Sequence, residues 1–292
     1  MNKLDKILIA NDDLKGMDAA ISKAEILEHF SGTEVEVAQV VWDAIEEEED
    51  LETDEREQLV VAFTAAERAA LAAIMKSHRS KMASIKERVL WNRRSADAIL
   101  NEIDTHKPDL LIKPIGKFGL TSLIHTPLDW QLLREAQCPV LLSKSISWNT
   151  GGNVLAALDT RQEHAAVNKE IISTAVFFAQ ALDADIHLVT AAPAPTHTLS
   201  SNLVNRMLQK RKAKLEAIAN SSKRDDINVH AVLGEPATVI ANKANELSAT
   251  VIVLGTHAHT GFKKLLLGNT AEKILTQIDC DTITIRPTDA KN

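Results

Sequence analysis

The sequence predicts an α/β fold made of two tandem, doubly wound, five-stranded parallel sheets. Short apolar runs alternate with longer amphipathic runs along all 292 residues, which is the pattern of βαβ units with right-handed crossovers. The runs VIVLG and DLLIK are apolar throughout, as expected of central parallel strands that are covered on both faces. A repeated sequence pattern indicates that this arrangement occurs twice.

The repeat divides the chain into two halves. Residues 109–144 match residues 251–286 with an offset of 142, which places Cys138 on Cys280. The opening KILIANDD matches NVLAALDT with an offset of 147, which places Asp12 on Asp159. We predict a first domain over residues 1–146 and a second over residues 151–292. The junction SISWNTGGN contains a Gly-Gly pair and is typical of a flexible linker.

Each apolar run predicts a strand and each amphipathic run a helix. In the first half, strands are expected at residues 6–11, 34–41, 85–91, 110–113 and 140–143. Helices are expected at residues 17–30, 54–81, 95–105 and 127–135. The second half is expected to repeat the pattern, with strands near residues 153–158, 185–191, 228–233, 250–254 and 282–286.

Composition narrows the class of protein. With 45% hydrophobic and 25% charged residues, the chain has the composition of a soluble globular protein. It holds two cysteines, which excludes a disulfide framework. Residues 1–5 lead straight into KILIA, so no signal peptide is expected, and no stretch is expected to be long and apolar enough to span a membrane. A cytoplasmic location is the expectation.

The two halves differ in charge. Residues 1–146 carry a net charge of -8 and residues 147–292 carry +1. An acidic first half argues against nucleic acid as a partner, because binding DNA or RNA needs a basic surface. If the protein binds an anionic ligand, the second half is the better candidate, because it lacks the negative charge of the first half.

Candidate ligand-binding residues follow the strand ends. In an open parallel sheet, ligands bind beyond the carboxyl ends of the strands, where the strand order reverses. Asp12 and Asp159 end the first strand of each half, and Gly255 ends the fourth strand of the second half. The stretch VIVLGTHAHTGFKKLLLGNTAEK then carries two further glycines, Gly261 and Gly268.

These residues resemble the universal stress protein family. Its signature after the fourth strand is Gly, two residues, Gly, nine residues, Gly, then Ser or Thr. The tandem layout, with HTPLDWQLLREAQCPV and LGNTAEKIL, is most similar to the tandem-domain UspE-type branch. The resemblance implies an adenine nucleotide alpha hydrolase-like fold with strand order 3-2-1-4-5. It also implies ATP binding where the signature is complete, with phosphates on the glycine loop and the helix start.

The second half keeps part of that signature. Gly255 and Gly268 stand at the first and third glycines, whereas Ala258 and Asn269 replace the second glycine and the Ser or Thr. Two interpretations stay open: a helix capped by Asn269 with nothing bound, or a nucleotide site. In the nucleotide site, Asp159 would hydrogen-bond the nucleoside. The phosphates would be lined by Gly255, His257, Gly261, Gly268, Asn269 and Thr270.

The first half departs further from the signature. By the offset of 142, Lys113 replaces the first glycine, Thr126 the third and Pro127 the Ser or Thr, while Gly116 keeps the second. Pro127 has no N–H to offer a phosphate, although it suits the first position of a helix. We predict that this half is degenerate for ATP.

Other features favour ordinary structural roles. His257 and His259 could ligate a metal, but no cysteine or carboxylate lies near them in sequence, so exposed histidines are expected. The run EEEED at residues 46–50 predicts a solvated loop, with partner binding as the alternative. The basic helix at residues 205–218 predicts a solvated face, with a lid over an anionic or lipid-like ligand as the alternative. The tryptophans are expected to be packing residues, and both cysteines are expected to be buried or half-buried structural residues.

No catalytic motif is present, since the sequence lacks both a G-x-x-x-x-G-K-[ST] loop and a G-x-S-x-G elbow. The main hypothesis is a non-enzymatic stress-response protein that acts through ligand or partner binding, with the second-half cleft as the competent site. Its ligand would be a nucleotide or, as the resemblance to tandem family members implies, an apolar, lipid-like molecule. The alternatives are an ATP-binding switch or slow ATPase, and a scaffold with a partner surface near residues 46–50. No metal is expected. Pairing of the last strands predicts an intramolecular pseudo-dimer, with a homodimer as a further option.

Overall fold

The computed structural model describes residues 3–115, 126–192, 201–222, 224, 226–256 and 269–286. The chain divides into two compact units. Among the described residues, the first unit contains 4–115 and 126–147, and the second contains those from 148 to 286. Each unit is an α/β domain and is described by itself.

The first domain is a parallel sheet with helices between its strands. Its sheet has the order β3-β2-β1-β4-β5, which is the predicted order 3-2-1-4-5. The strands are β1 (Lys6–Asn11), β2 (Glu34–Val41), β3 (Ile85–Trp91), β4 (Leu110–Pro114) and β5 (Val140–Ser143). The helices are α1 (Met17–Ser31), α2 (Thr53–Met75), α3 (Ser95–His106) and α4 (Pro127–Glu135).

The second domain repeats this arrangement. Its parallel sheet has the order β8-β7-β6-β9-β10, so the fold class predicted from the sequence is confirmed. The strands are β6 (Asn153–Ala157), β7 (Asp185–Ala192), β8 (Ile227–Leu233), β9 (Val251–Gly255) and β10 (Asp281–Ile285). The helices are α5 (Ala165–Leu182), α6 (Ser201–Asn220), α7 (Pro236–Glu246) and α8 (Asn269–Leu275).

The central strands form the cores, as their continuous apolar character predicts. Ile7, Leu8 and Ile9 of β1 are fully buried, as are Val154 and Leu155 of β6. Burying one such aliphatic side chain contributes about 1.5–3 kcal/mol to folding.

The predicted linker is anchored in the second domain. Trp148 is buried, donates its indole N–H to Asp281 Oδ2 at 2.7 Å and packs edge-to-face on Phe178. Gly152 has φ of 91°, and a Cβ atom there would lie 2.6 Å from Thr250 Oγ1. The second domain therefore begins at Trp148, and glycine is required at 152.

Helix α2 ends six residues earlier than predicted, at Met75 rather than residue 81. His78 is buried against α1, with Nδ1 2.5 Å from Glu25 Oε1 and Nε2 3.0 Å from Asp18 Oδ1. These contacts outweigh helix continuation through the weak helix formers Ser77 and Ser80.

The expectation that no stretch could span a membrane is wrong for α2. An 18-residue window of this helix has a mean hydropathy of 1.4, so by length and composition it could cross a membrane. Within the domain, only 11% of that window is buried. Leu71 and Met75 are buried and Val60, Phe63 and Ile74 are half-buried, while Leu59 and Val61 are exposed.

The acidic run after β2 is partly ordered. Ala44–Glu47 forms a 3₁₀ turn, and Glu46 Oε2 accepts hydrogen bonds from the indole N–H groups of Trp42 and Trp91 at 2.9 and 2.8 Å. The other four residues of EEEED are exposed, as predicted. Glu46 therefore holds the turn against the two tryptophans.

Both cysteines are structural, as predicted. Cys138 is buried and Cys280 is half-buried, and neither forms a disulfide. Burial raises the pKa of the Cys138 thiol to about 12, so its reactive thiolate is scarce at neutral pH.

A stacked histidine pair joins β7 to β8. His187 Nδ1 lies 3.0 Å from His230 Nε2, and His187 Nε2 lies 2.9 Å from Asn153 Oδ1. Asn153 uses its amide N–H to donate to Leu247 O, so its Oδ1 accepts from His187 Nε2–H. Only one proton fits between His187 Nδ1 and His230 Nε2, so the two rings cannot both be doubly protonated.

We predict that acid destabilises the second domain through these rings. Burial, with the nearby Lys243 ammonium, lowers the pKa of both His187 and His230 in the folded chain. The unfolded chain therefore binds more protons below about pH 6.5, and stability falls as pH falls through that range. Denaturant unfolding between pH 8 and pH 5 should show a smaller acid loss for the His187→Gln/His230→Gln variant than for the natural chain. An equal loss in both would contradict the prediction.

Candidate functional site

A cleft opens at the carboxyl edge of the second domain, where strand ends and helices meet. It encloses about 540 Å³ between β6, β7 and β9 and helices α5 to α8. Most of its wall is apolar, and three basic side chains face it. The lining residues are Ala157, Leu158, Asp159, Arg161, His164, Val167, Asn168, Ile171, Thr190, Ala191, Arg211, Pro236, Ile240, Leu254, Gly255, Thr270, Ala271 and Ile274.

Asp159 is held by its own loop. Its Oδ1 accepts from the Arg161 backbone N–H at 3.0 Å, and its Oδ2 accepts from Arg161 Nε and NH2 at 2.9 and 2.6 Å. His164 Nε2 lies 3.6 Å from the same Oδ2. Partial burial opposes ionisation of Asp159, but the Arg161 hydrogen bonds and the positive charge beside it lower its pKa. The carboxylate is ionised and already engaged by Arg161.

Gly255 allows α5 to pack closely on the end of β9. A Cβ atom at this position would lie 3.1 Å from Ile171 Cδ1 and 3.2 Å from Val167 Cγ2. Both distances are tighter than ordinary side-chain contacts, so a larger residue would need these two side chains to shift by a few tenths of an ångström. The close packing of α5 therefore favours glycine here, whether or not a phosphate approaches it.

Helix α6 brings a second arginine to the cleft. Arg211 is half-buried and donates from NH1 to Thr160 Oγ1 at 3.0 Å, just beyond Asp159 in the same loop. With Arg161 and His164 it forms a basic side of the cleft. A cleft with such a side and apolar walls can bind a ligand that combines an anionic group with an apolar part.

A second cavity of about 810 Å³ lies beside the cleft, between α5 and α6. Arg161 and Asn168 line both spaces. Asn168 donates from Nδ2 to the Asp159 backbone carbonyl at 2.7 Å. Its Oδ1 is buried and has no hydrogen-bond partner among the described residues. A buried acceptor in this state is commonly met by a bound water or by a donor group of a ligand.

The structure brings together part of the predicted site. Asp159, Gly255 and Thr270 line the same cleft, and α8 begins at Asn269. His257, Gly261, Gly268 and the Asn269 side chain lie outside the described residues, as does His259. Their predicted roles stay predictions.

Sequence reasoning missed Arg161, Asn168 and Arg211 as cleft residues. Arg211 belongs to the basic helix, for which the alternative prediction is a lid over a ligand. In the structure Arg211 lines the cleft. Arg161 and Asn168 lie two and nine residues after Asp159, a separation that carries no recognisable motif.

In the first domain, strand register corrects one sequence alignment. Ile112 pairs with Ile9 as Val253 pairs with Ala156, which makes Lys113 the counterpart of Leu254. Pro114, not Lys113, occupies the place of Gly255. The two alignments of the strand differ by one residue because the connection from the fourth strand to the next helix is one residue shorter in the first half. A shift of one residue places a side chain on the opposite face of the strand.

Lys113 closes the equivalent space with a buried ion pair. Its Nζ lies 3.1 Å from Asp129 Oδ1 and donates to Asn11 Oδ1 at 2.6 Å and to the Pro114 carbonyl at 2.9 Å. Lys113 and Asp129 are 3% and 1% exposed. The ammonium and the carboxylate therefore satisfy each other where the second domain has an open cleft.

The start of α4 is also satisfied internally. The Thr126 N–H donates to Asp129 Oδ2 at 2.8 Å, and the Asp129 N–H donates to Thr126 Oγ1 at 3.2 Å, which completes a capping box. Pro127 is the first helical residue, as predicted. These backbone groups are not available to a ligand. Gly116 lies outside the described residues.

One group of potential metal ligands occurs among the described residues. Glu36, Glu102 and His106 lie within ligand distance of one another. Arg88 is ion-paired with both carboxylates and lies 3.0 Å from His106 Nε2, while Lys6 lies 3.4 Å from Glu36. Two cations already neutralise the group, so it is an ion-pair network rather than a metal site.

Comparison with known proteins also finds two consecutive domains of one family. The model of the universal stress protein family matches residues 3–144 and again 152–286. Universal stress protein E of Photorhabdus laumondii is 34% identical, covering 70% of this chain and 69% of that protein. The Universal stress protein E homolog of Haemophilus influenzae is 29% identical, covering 81% of each.

A solved structure of a functionally unknown protein from Pseudomonas aeruginosa PAO1 is also similar. It superposes with a TM-score of 0.73 at 27% identity, covering 98% of this chain and 94% of that one. Because the family model matches almost the whole length in two consecutive copies, the chain belongs to the universal stress protein family as a tandem-domain, E-type member.

Proposed function

We propose that this protein works without catalysis, by binding a small anionic ligand with an apolar part in its second-domain cleft. One observation carries the proposal: the 540 Å³ cleft places Arg161, His164 and Arg211 beside walls that are mainly aliphatic. Charge-assisted hydrogen bonds would hold the anionic group. The apolar part would displace water from the walls.

The adjoining cavity extends the space for such a ligand. It is lined by Ile172, Val176 and Phe177 at its apolar side and by Lys169 and Lys214 at its rim. Since Arg161 and Asn168 border both spaces, a ligand in the cleft could reach the cavity past them. This supports a lipid-like ligand over a compact polar one.

The second candidate is an ATP-binding switch or slow ATPase. It is favoured by Asp159, Gly255 and Thr270, which line one cleft; Gly255 stands at the first glycine of the family signature, and Thr270 follows the Ser or Thr position by one residue. Two observations weigh against it. Asp159 would have to exchange its Arg161 hydrogen bonds for those of a ribose, and the packing of α5 favours glycine at 255 without a phosphate.

The first domain is proposed to be structural at the equivalent place, because Lys113 and Asp129 fill it. Cytoplasmic location is part of the same proposal and accords with two cysteines that form no disulfide. The pairing of last strands into a pseudo-dimer stays a prediction from the sequence.

Calorimetric titration tests the ligand class. Dodecyl phosphate and ATP, the latter with and without magnesium, are titrated into the full chain. We expect dodecyl phosphate to bind, and we expect Arg211→Gln and Arg161→Gln each to weaken it about tenfold, because each removes a charge-assisted hydrogen bond worth about 1.5–3 kcal/mol. Arg68→Gln, an exposed arginine on α2, is the matched control and should bind as the natural chain does.

The outcomes separate the two candidates. Binding of ATP alone, abolished by Gly268→Asp, would support the nucleotide switch and contradict the amphiphile proposal. Absence of heat with every ligand would contradict both. Equal binding by Arg211→Gln and Arg68→Gln would show that the cleft is not the place of binding.

Removing one partner of the buried ion pair should destabilise the first domain. Asp129→Ala leaves the Lys113 ammonium buried without its carboxylate, which costs about 3–5 kcal/mol. Lys113→Leu/Asp129→Ala restores the apolar pair found in the second domain, so it should cost less than Asp129→Ala alone. Urea unfolding measures both, with the exposed Asp50→Ala as control, expected within about 0.5 kcal/mol of the natural chain. A double variant less stable than Asp129→Ala would refute this account.

A further inference from the structure

Helix α6 of the second domain carries a row of cations without ion-pair partners. Residues 201–215 hold five basic residues and no acidic one. Arg206, Lys210 and Lys214 recur every four residues and are exposed, so they lie along one side of the helix. None of the three forms an ion pair or a hydrogen bond with any residue that the structure describes. We call these three residues the α6 basic stripe.

An exposed leucine lies on the same side of α6. Leu203 is 42% exposed, and it precedes Lys210 by seven residues, which is about two helical turns. The half-buried Met207 follows Leu203 by about one turn. The buried residues of this helix, Leu215 and Ala219, lie on the side that packs against β7 and β8. The outward side of α6 therefore combines cations with apolar side chains.

The α6 basic stripe borders the 810 Å³ cavity between α5 and α6. Lys214 lines this cavity from α6 and Lys169 lines it from α5, and both are exposed. Lys169, like the stripe, has no ion pair with a described residue. The apolar side of the cavity is formed by Ile172, Val176 and Phe177. Cations without partners therefore stand at the rim of an apolar space.

We propose that α6 docks on a membrane surface that contains anionic lipids. The α6 basic stripe contacts the headgroups and Leu203 enters the acyl boundary, which is how basic amphipathic helices bind membrane surfaces. The rim of the cavity then lies at the lipid surface. An amphiphile can pass from the membrane into the cavity at that point, and this step alone rests on the proposed function.

A bilayer suits this side of α6 better than a nucleic acid does. Phosphates of DNA or RNA could pair with the cations, but they would leave Leu203 and the apolar cavity uncovered. Lipid satisfies both, because headgroups meet the cations and acyl chains meet the apolar side chains. The net charge of -7 on the whole chain does not prevent this contact, since salt screens charges that are more than about 10 Å apart.

The contact should be weak and sensitive to salt. Each lysine or arginine near an anionic membrane strengthens binding about fivefold, and salt screens such exposed charges. A single leucine adds only a small apolar area to the contact. We therefore expect binding that is measurable at low ionic strength and is lost as salt is raised.

Flotation of the full chain with lipid vesicles tests the proposal. At low salt the natural chain should float with vesicles of equal parts phosphatidylcholine and phosphatidylglycerol, and not with vesicles of phosphatidylcholine alone. Arg206→Gln/Lys210→Gln should weaken this binding about 25-fold, or about fivefold for each cation. Arg68→Gln/Lys76→Gln is the matched control, because it also removes one exposed arginine and one exposed lysine, here from the first domain. It should float as the natural chain does.

Two further measurements separate docking from ligand binding and from folding. Neither Arg206 nor Lys210 lines the cleft or the cavity, so their double variant should bind dodecyl phosphate in calorimetry as the natural chain does. Leu203→Gln should weaken vesicle binding without changing its dependence on salt. Glutamine is a good helix former, and circular dichroism checks that each variant folds.

The outcomes that contradict docking are distinct. A natural chain that does not float with the mixed vesicles at low salt would overturn the proposal, as would an equal loss in the two double variants or equal binding to phosphatidylcholine alone. Binding of a DNA duplex that Arg206→Gln/Lys210→Gln abolishes, without vesicle binding, would assign the stripe to nucleic acid and also overturn it. Vesicle binding by a chain that does not bind dodecyl phosphate would support docking and contradict the proposed ligand site.

Discussion

Parallel strand pairing is the constraint from which the rest of each domain follows. It collects the carboxyl ends of all five strands at one edge, and the crossover helices then cover both faces of the sheet. The first and fourth strands are neighbours, through Ile9 and Ile112 in one domain and through Ala156 and Val253 in the other. The residues at the carboxyl ends of the first and fourth strands therefore lie close to the first turn of the last helix in each domain.

Three positions meet in that space, and their chemistry differs between the domains. In the second domain they are Leu158, Leu254 and Ala271, which line an open cleft. The counterparts in the first domain are Asn11, Lys113 and Asp129, which contact one another. Three aliphatic side chains leave an apolar surface that a ligand can cover. An amide, an ammonium and a carboxylate at the same places satisfy one another, so the same backbone supports an open cleft in one copy and a closed one in the other.

The sequence allowed most of the fold to be predicted and only part of the site. Apolar runs such as VIVLG bury both faces of a central strand, so periodicity and repetition sufficed for every strand. Helix α2 was placed correctly, but its end was not, because His78 contacts α1 at positions distant in sequence. The place of Lys113 could not be found from an alignment with a single offset, since its face depends on strand register. Arg211 reaches the cleft from another helix and carries no local signal.

The helix between the second and third strands is where each domain can change most freely. α2 buries only Leu71 and Met75, and α6 buries only Leu215 and Ala219, among their described residues. Few substitutions on these helices disturb a core, so their surfaces could diverge after duplication. α6 is basic and directs Arg211 to the cleft, whereas α2 is acidic in its first turn. In the second domain this element thus takes part in the candidate ligand site, while in the first domain Lys113 and Asp129 close the equivalent space.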